Sequence, residues 1–296
     1  MTPVNVIIDT DPGVDDFLAI ALALNSPELV IDAFTTTGGN AALRHTNANM
    51  LRILEALNHP EVPVYRGSQR PLVGSFGDAE DVHGVGGLPI SLPRPSIRAR
   101  DGHAVKYMAQ RLEDGPAVTL IVLGPPTNIA RLFRDHPGSM KSVERVVIMG
   151  GALDVPGNVT DYAEFNVWSD PEATALVFSS GVPVTMVGSD VCNEVRTYAD
   201  KTPVPINPVI RRLTEAQYAA RPSRRITLYD PLTVMAVARP GIVEMERLSI
   251  AVDVSDGPER GRTRVDPAGA MIDVAMGVDV DAAIGLFTER VIQGHF

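Results

Sequence analysis

The chain has 296 residues, 45% of them hydrophobic, so it can bury a substantial core as one large α/β domain or as two smaller ones. Its 26 basic and 36 acidic side chains give a net charge of −10, which argues against a phosphate-neutralising surface and therefore against nucleic-acid binding. The single cysteine, Cys192, excludes an internal disulfide and a thiol-rich metal site, and we expect it to be a small buried side chain.

The first apolar stretch, residues 4–8, is short and β-branched, unlike the charged and then apolar pattern of a secretory signal. No apolar run approaches the roughly 18 residues that a membrane-spanning helix needs. The sequence therefore predicts a cytoplasmic protein that has no contact with a membrane.

Short apolar runs alternate with segments of helical periodicity along the chain. Strands are predicted at residues 4–8, 30–34, 117–123, 143–149 and 182–187, with helices at 17–24 and 43–57 between the first of them. Such alternation is typical of strand-helix-strand units, and nearly unbroken apolar strands are typical of a sheet covered on both faces. The predicted fold is α/β, with an open, mainly parallel sheet flanked by helices.

Two stretches are predicted to be long loops, residues 74–100 and 198–225, the second holding a helical patch that ends in Arg221-Pro222-Ser223-Arg224-Arg225. Loops of this length serve as lids or binding loops about as often as they serve as plain connections. In open α/β sheets, ligands bind outside the carboxyl ends of the strands, so we expect the site at that edge.

Four carboxylates follow the first predicted strand within eight residues: Asp9, Asp11, Asp15 and Asp16. Asp15 or Asp16 could act only as a cap of the helix that follows. However, two like charges 4 Å apart at an effective dielectric of about 20 repel by roughly 4 kcal/mol, so a cation is expected nearby. Because the turn offers only oxygen ligands, the pattern favours Ca²⁺ or Mg²⁺ over zinc. Residues 123–128, 164–166 and 229–231 also carry oxygen-bearing groups at strand ends.

Residues 9–16 have the form Asp-x-Asp-Pro-Gly-x-Asp-Asp, and in this the chain resembles the calcium-dependent nucleoside hydrolases. The resemblance continues in order through Gly39-Asn40, Val64-Tyr65-Arg66-Gly67, Pro71-Leu72, His83-Gly84, Gly87-Leu88, Leu123-Gly124-Pro125-Pro126-Thr127-Asn128-Ile129-Ala130, Met149-Gly150-Gly151, Gly157-Asn158, Glu164-Phe165-Asn166, Asp170-Pro171-Glu172-Ala173, Asp230-Pro231 and Arg262-Thr263. It implies one catalytic domain over residues 1–296 with a Rossmann-like core, assembled as homodimers or homotetramers.

The resemblance also implies an activity, the hydrolysis of a ribonucleoside at its N-glycosidic bond to free base and ribose. Calcium would be held by Asp11, Asp16, the backbone carbonyl of Thr127 and Asp230, and Asp11 would take the proton of a calcium-bound water that attacks the sugar. The residues implied to bind the ribose hydroxyls are Asp15, Asn40, Asn158, Glu164, Asn166 and Asp230. The transition state would have oxocarbenium character.

One position departs from the family pattern. Many members have a histidine directly before the last metal-binding aspartate, where it can protonate the leaving base, whereas this chain has Tyr229. Tyrosine is a weaker acid, although it can donate a hydrogen bond or stack on a base. His83 is the other candidate for the leaving-group step, with a role in binding the base or stabilising a loop as the alternative. Trp168 is expected in the core, although it could also stack on the base.

The preferred base stays open among uridine, cytidine, inosine and other purine nucleosides. Two other functions are compatible with parts of the pattern. Asp9 and Asp11 could be the nucleophile and acid of a magnesium-dependent phosphohydrolase like the haloacid dehalogenases, although Pro12, Gly13 and the second acidic pair fit it poorly. A protein that binds nucleosides without hydrolysing them could also have kept the pocket and lost the acid.

Overall fold

A computed structural model describes residues 2–77 and 79–296 of the chain. The strands are β1 (Val4–Thr10), β2 (Leu29–Thr36), β3 (Val64–Arg66), β4 (Arg100–His103), β5 (Val118–Val122), β6 (Val143–Met149), β7 (Val184–Val187), β8 (Arg196–Tyr198), β9 (Arg225–Thr227), β10 (Val243–Val252), β11 (Thr263–Val265) and β12 (Ala270–Val278).

The α-helices are α1 (Val14–Leu24), α2 (Leu43–Ala56), α3 (Glu80–His83), α4 (Ala104–Asp114), α5 (Thr127–Asp135), α6 (Phe165–Ser169), α7 (Pro171–Phe178), α8 (Ser189–Cys192), α9 (Pro208–Ala220), α10 (Tyr229–Ala238) and α11 (Val280–Phe287). Short 3₁₀ segments lie at Val85–Gly87, Pro137–Ser142 and Pro240–Ile242, and a π-helical turn at Thr288–Ile292. Within the described ranges, none of the helices has the length and apolar character needed to span a bilayer.

Ten strands form one sheet in the order β11-β10-β12-β7-β6-β5-β1-β2-β3-β4, and β8 pairs with β9 in a separate antiparallel ribbon. All neighbours from β12 to β4 pair in parallel. Only β10 pairs antiparallel within the large sheet, with β11 on one side and β12 on the other. The predicted α/β fold with an open, mainly parallel sheet is therefore confirmed.

The central strands are apolar along their whole length because helices cover both faces of the sheet. In β1, Val6 and Ile8 point into one hydrophobic cluster and Ile7 into the other, as the two-residue period of a strand requires. The first cluster includes residues of α1 and α10, and the second includes residues of α5 and α7. Cys192 lies in the first cluster and is fully buried, as predicted.

The order of the strands reverses beside β1. From β1 the chain adds β2, β3 and β4 on one side, and then continues with β5, β6 and β7 on the other side. At such a switch point the connections leave neighbouring strand ends in opposite directions and open a crevice between them. Asp11 follows β1 and Thr127 follows β5, so the acidic turn lies at this crevice.

The observed elements differ from the predicted ones mainly at their ends. β1 continues two residues beyond the predicted 4–8, so that Asp9 and Thr10 still pair with β2. The segment predicted as a loop at 74–100 contains α3 and a 3₁₀ turn, and the one at 198–225 contains the 13-residue helix α9. Both segments reach the cavity described below.

Candidate active site

A cavity of about 510 Å³ opens at the carboxyl edge of the parallel strands. Its volume suits a small molecule the size of a nucleoside. Of the residues predicted to act at the site, the cavity is lined by Asp15, Asn40, His83, Asn158, Glu164, Asn166, Tyr229 and Asp230. These side chains come from widely separated parts of the chain, and the fold brings them together.

Three carboxylates meet at the cavity. Oxygen atoms of Asp15, Asp16 and Asp230 lie within 4.8 Å of one another. Asp15 and Asp16 are in the first turn of α1, and Asp230 is in the first turn of α10, where helix dipoles favour negative charge. Burial raises the pKa of Asp230 well above its ordinary value, and repulsion from Asp15, Asp16 and Asp11 adds to the rise. The ionised cluster therefore requires a positive charge beside it.

Asp11 is not one of these three carboxylates, although its charge acts on Asp230; it is fully buried and outside the cavity wall. The backbone N–H of Asn40 donates to its Oδ2 at 2.6 Å, while its Oδ1 has no hydrogen-bond partner among the described residues. Burial raises the pKa of Asp11 well above its usual range, and repulsion from Asp16 adds to this. A Cβ atom at Gly39 would lie 2.0 Å from Oδ2, and one at Gly124 would lie 2.3 Å from Oδ1. Only glycine at these two positions leaves room for the carboxylate.

Asp16 is held in place by the acidic turn. Its Oδ1 accepts a short hydrogen bond from the Thr10 hydroxyl, and its Oδ2 accepts from the backbone N–H of Gly13 at 2.9 Å. The side-chain amide of Asn40 donates to the same Oδ2 at 3.0 Å and to the backbone carbonyl of Asp11 at 3.2 Å. Asn40 thus ties the end of β2 to the carboxylates.

These residues fit a hard divalent cation. In the described part of the chain, Oδ1 of Asp11 and Oδ1 of Asp15 are both buried without a hydrogen-bond partner, as oxygen atoms reserved for a cation would be. The aspartate side chains offer only oxygen ligands, which Ca²⁺ and Mg²⁺ prefer. Thr127, whose carbonyl is the fourth predicted ligand, is fully buried at the start of α5, and its hydroxyl donates to Asp170 at 2.6 Å.

Glu164 and Asn166 lie at the start of α6. Both carboxylate oxygens of Glu164 accept hydrogen bonds from backbone N–H groups at 3.0 to 3.2 Å. The donors are Gly151, Asn166 and Val167. Burial nevertheless raises the pKa of Glu164 to about 7. The side-chain N–H₂ group of Asn166 donates to the backbone carbonyl of Leu123 at 2.7 Å. The Oδ1 atom of Asn166 takes no part in that hydrogen bond. Both side chains are therefore held rigidly at the cavity.

Asn158 is more exposed than the other polar side chains of the cavity. The Oδ1 atom of Asn158 accepts a hydrogen bond from the backbone N–H of Phe165 at 2.8 Å. Its side-chain N–H₂ group takes no part in that hydrogen bond. The loop that carries Asn158 is joined by an antiparallel β-bridge, between Ala163 and Arg262, to the segment that leads into β11. Asn158 therefore adds a hydrogen-bond donor at the mouth of the cavity.

His83 belongs to the long segment after β3 and is buried against α1. Its Nδ1 accepts the backbone N–H of Val14 at 3.1 Å and lies 3.7 Å from Oδ1 of Asp15. A ring nitrogen that accepts a hydrogen bond carries no proton, so in this arrangement the proton is on Nε2. A Cβ atom at Gly13 would come within 2.6 Å of Nδ1, so glycine at this position admits the imidazole.

Tyr229 lines the cavity one residue before Asp230. Its hydroxyl donates to Oδ1 of Asn193 at 2.9 Å. Burial raises the pKa of Tyr229 to about 12, and nearby negative charge contributes. The phenol is therefore a poor proton donor, while its ring remains part of the cavity wall.

Three residues of the cavity wall differ from what the sequence predicts. Trp168 is only partly buried and lines the cavity, so the prediction that it belongs to the core is wrong. Gln217 and Arg221 were not predicted as site residues. Gln217 is in the last turn of α9, and Arg221 follows the helix directly. The spacing of four residues near the end of a predicted helical patch was the sequence signal that could have identified them.

The chain matches the family model described as inosine-uridine preferring nucleoside hydrolase over residues 6–285. It is 36% identical over 303 residues to the pyrimidine-specific ribonucleoside hydrolase RihA of Salmonella paratyphi C, covering 96% of this chain and 97% of that protein.

Two solved structures resemble this chain over nearly its whole length. A plant nucleoside hydrolase, the PpNRh1 enzyme, has a TM-score of 0.91 and 30% identity over 97% of this chain and 98% of its own. The purine-preferring ribonucleoside hydrolase from Gardnerella vaginalis has a TM-score of 0.89 and 32% identity over 97% of each chain. The comparisons support neither a phosphohydrolase nor a noncatalytic binding protein. The chain belongs to the inosine-uridine preferring nucleoside hydrolase family, and it is a ribonucleoside hydrolase that cleaves the N-glycosidic bond.

Proposed function

We propose that the chain hydrolyses ribonucleosides with a calcium ion held by Asp11, Asp16, Asp230 and the backbone carbonyl of Thr127. The observation that carries this proposal is the group of carboxylates at a cavity of nucleoside size, where Oδ1 of Asp11 and Oδ1 of Asp15 have no hydrogen-bond partner among the described residues. Calcium accepts more oxygen ligands than Mg²⁺ and tolerates irregular geometry, which suits several carboxylates together with sugar hydroxyls. When bound, the ion would acidify a water molecule and offset the repulsion among the carboxylates.

Asp11 is the proposed general base. Its Oδ2 is fixed by the N–H of Asn40, which leaves the unpartnered Oδ1 to accept the proton of the attacking water. Water attacks the anomeric carbon as the bond between that carbon and the base nitrogen breaks.

The ribose would be held by the polar side chains around the cluster: Asp15, Asn40, Asn158, Glu164, Asn166 and Asp230. The hydrogen bonds described above leave Oδ1 of Asn166 as an acceptor and the amide of Asn158 as a donor for sugar hydroxyls. Carboxylates near the ring would also favour the positive charge that develops on the sugar. We further propose that the whole chain acts as one catalytic domain, because the ten-stranded sheet draws strands from both halves of the chain. Assembly into dimers or tetramers and a cytoplasmic location stay predictions.

The test is a panel of nucleosides incubated with calcium-loaded protein and analysed by chromatography of the free base. We expect base release from at least one of uridine, cytidine, inosine and adenosine. The matched 2′-deoxynucleoside should react at least about 100-fold more slowly, because buried polar groups would lose their hydroxyl partner. Release of base from no ribonucleoside, with or without calcium, would contradict the proposal.

Tyr229→Phe should turn over within about threefold of the parent rate, since the hydroxyl donates to Asn193 and a phenol of high pKa is a weak general acid. Tyr229→Ala should instead raise KM by about tenfold, because an aromatic wall contributes to base binding through stacking. Steady-state kinetics on the best nucleoside of the panel distinguishes the two variants. If Tyr229→Phe instead loses about 100-fold or more in turnover, the hydroxyl acts in catalysis after all.

A further inference from the structure

One part of the cavity wall comes from the end of α9, the ribbon strand β9 and the start of α10. It contributes Gln217, Arg221, Ile226, Thr227 and Tyr229. This wall is mostly uncharged and partly apolar, which suits a heterocyclic base. Arg221 is the exception because it carries a permanent positive charge.

Among the described residues that line the cavity, Arg221 is the only lysine or arginine. It follows α9 directly and is partly buried. A guanidinium group at such a place loses hydration, so it must gain something in return. Its charge acts on Asp15, the cavity carboxylate beside His83.

The guanidinium group is oriented by a buried neighbour. With the amide oxygen of Gln217 facing it, Oε1 accepts from Nη2 and Nε of Arg221 at 2.9 and 3.0 Å. Gln217 is 3% exposed, so this contact is held inside the protein. Two hydrogen bonds that converge on one amide oxygen fix the plane of the guanidinium group, and its other N–H groups stay available for a ligand in the cavity.

The leaving base needs help that Tyr229 does not give. The hydroxyl hydrogen of Tyr229 is directed to Asn193, so it is not available to a ring nitrogen or a carbonyl oxygen of the base. His83 also lines the cavity with its proton on Nε2, but it is held at the start of α1 beside Asp15. When no group protonates the base, the electron pair of the broken bond stays on the base. In an oxo-base this charge spreads onto a carbonyl oxygen, where fixed N–H donors and a positive charge can stabilise it.

We propose that Arg221 is a catalytic residue that receives the leaving base as an oxyanion, and that Gln217 is the residue that positions it. This inference rests on the proposed function. The water oxygen bonds to the anomeric carbon and its proton goes to Asp11, while the bond from that carbon to the base nitrogen breaks and its electron pair moves to the base. The base anion then takes a proton from solvent. This role of Arg221 is compatible with the oxo-bases of uridine and inosine, the two nucleosides in the family description.

The test compares two substrates that share the ribose but differ in their need for leaving-group assistance. Uridine loses a poor leaving group, whereas 4-nitrophenyl β-D-ribofuranoside loses a stable anion. Arg221→Ala should lower kcat for uridine by about 100-fold, the usual effect of removing one oxyanion donor, and kcat for the nitrophenyl riboside by less than about fivefold. Arg221→Lys should have a kcat for uridine about tenfold higher than that of Arg221→Ala, because lysine restores the positive charge but not the planar guanidinium group.

A matched control is Arg212→Ala, which removes the same charge from the exposed side of α9 and should leave both rates unchanged. Gln217→Leu should lower kcat for uridine by about tenfold and spare the nitrophenyl riboside, as expected of a residue that acts through Arg221. Across 5-fluorouridine, uridine and 5-methyluridine, the dependence of log kcat on leaving-group pKa should be steeper in Arg221→Ala than in the parent protein.

Three outcomes overturn this inference. An unchanged rate on uridine in Arg221→Ala would remove the arginine from catalysis. An equal loss on uridine and on the nitrophenyl riboside would mean that Arg221 serves Asp15 or the fold, since the ribose is common to both substrates. A parent protein that releases base from no nucleoside would contradict the proposed function itself, and the inference with it.

Discussion

Asp11→Asn should lower kcat on the best nucleoside by at least about 1000-fold, because loss of a general base alone costs about 100- to 10,000-fold and Asp11 is also a proposed ion ligand. Asparagine has nearly the same shape, and its Oδ1 can still accept the N–H of Asn40 at the position of the present Oδ2. The variant lacks only the charge and the proton-accepting oxygen. Chromatography of free base and an assay of reducing sugar give the rate.

A folding defect is separated from a catalytic one by thermal unfolding. The metal-free Asp11→Asn protein should be at least as stable as the metal-free parent, since it no longer buries a charge among other carboxylates. Asp101→Asn, the same change on an exposed strand, should alter neither rate nor stability. Near-normal turnover by Asp11→Asn, or by Asp11→Ala, would refute Asp11 as the base.

Removing calcium with a chelator should reduce base release to below about 1% of the loaded rate, and added calcium should restore it. Calcium at 100 times its Kd should also raise the free energy of unfolding by about 2.7 kcal/mol, or Tm by about 4 °C for a chain of this length. Asp16→Asn should lose both effects, whereas Asp256→Asn on an exposed turn should keep them. Full activity in the chelator would exclude an essential ion.

The pH dependence of this stabilisation has a definite sign. Burial raises the pKa of Asp11, Asp16 and Asp230 above the ordinary 3.8, so these folded-state values exceed the unfolded ones. A carboxyl group of this kind contributes stability at low pH that is lost as pH rises through its folded-state pKa. The metal-free protein should therefore weaken as pH rises from about 4 toward neutrality, and calcium should raise Tm more at pH 8 than at pH 5. A calcium effect that shrinks with pH would contradict this.

The sequence predicted the sheet and the acidic turn well because both depend on local patterns. Unbroken apolar runs identify strands that are covered on both faces, and Pro12-Gly13 between aspartates identifies a tight turn at a strand end. The rule that ligands bind outside the carboxyl ends of parallel strands then locates the edge of the sheet that holds the site, without knowledge of the tertiary contacts. Asp15, Asn40, Glu164 and Asp230 were all predicted at the site, and the fold brings them to one cavity.

The remaining details depend on contacts between distant segments, which no local pattern encodes. Asp9 belongs to the same acidic motif as Asp11, yet it is buried against Thr35 and Asn128 at 2.5 and 2.7 Å, and burial raises its pKa to about 7. The bond from Tyr229 to Asn193 and the pairing of Arg221 with Gln217 likewise appear only once α8, α9 and α10 have packed together.

The residues of the proposed ion site are contributed by segments made at very different times during synthesis. Asp11 is made before Thr127, and Thr127 is made before Asp230. Strand β12, which completes the pairing on the far side of β7, emerges later still. Long-range parallel pairing of this kind is slow to form. A nascent chain therefore carries the acidic turn before the segments that complete the proposed ion site exist, and we expect catalytic competence to begin only after Asp230 has been made.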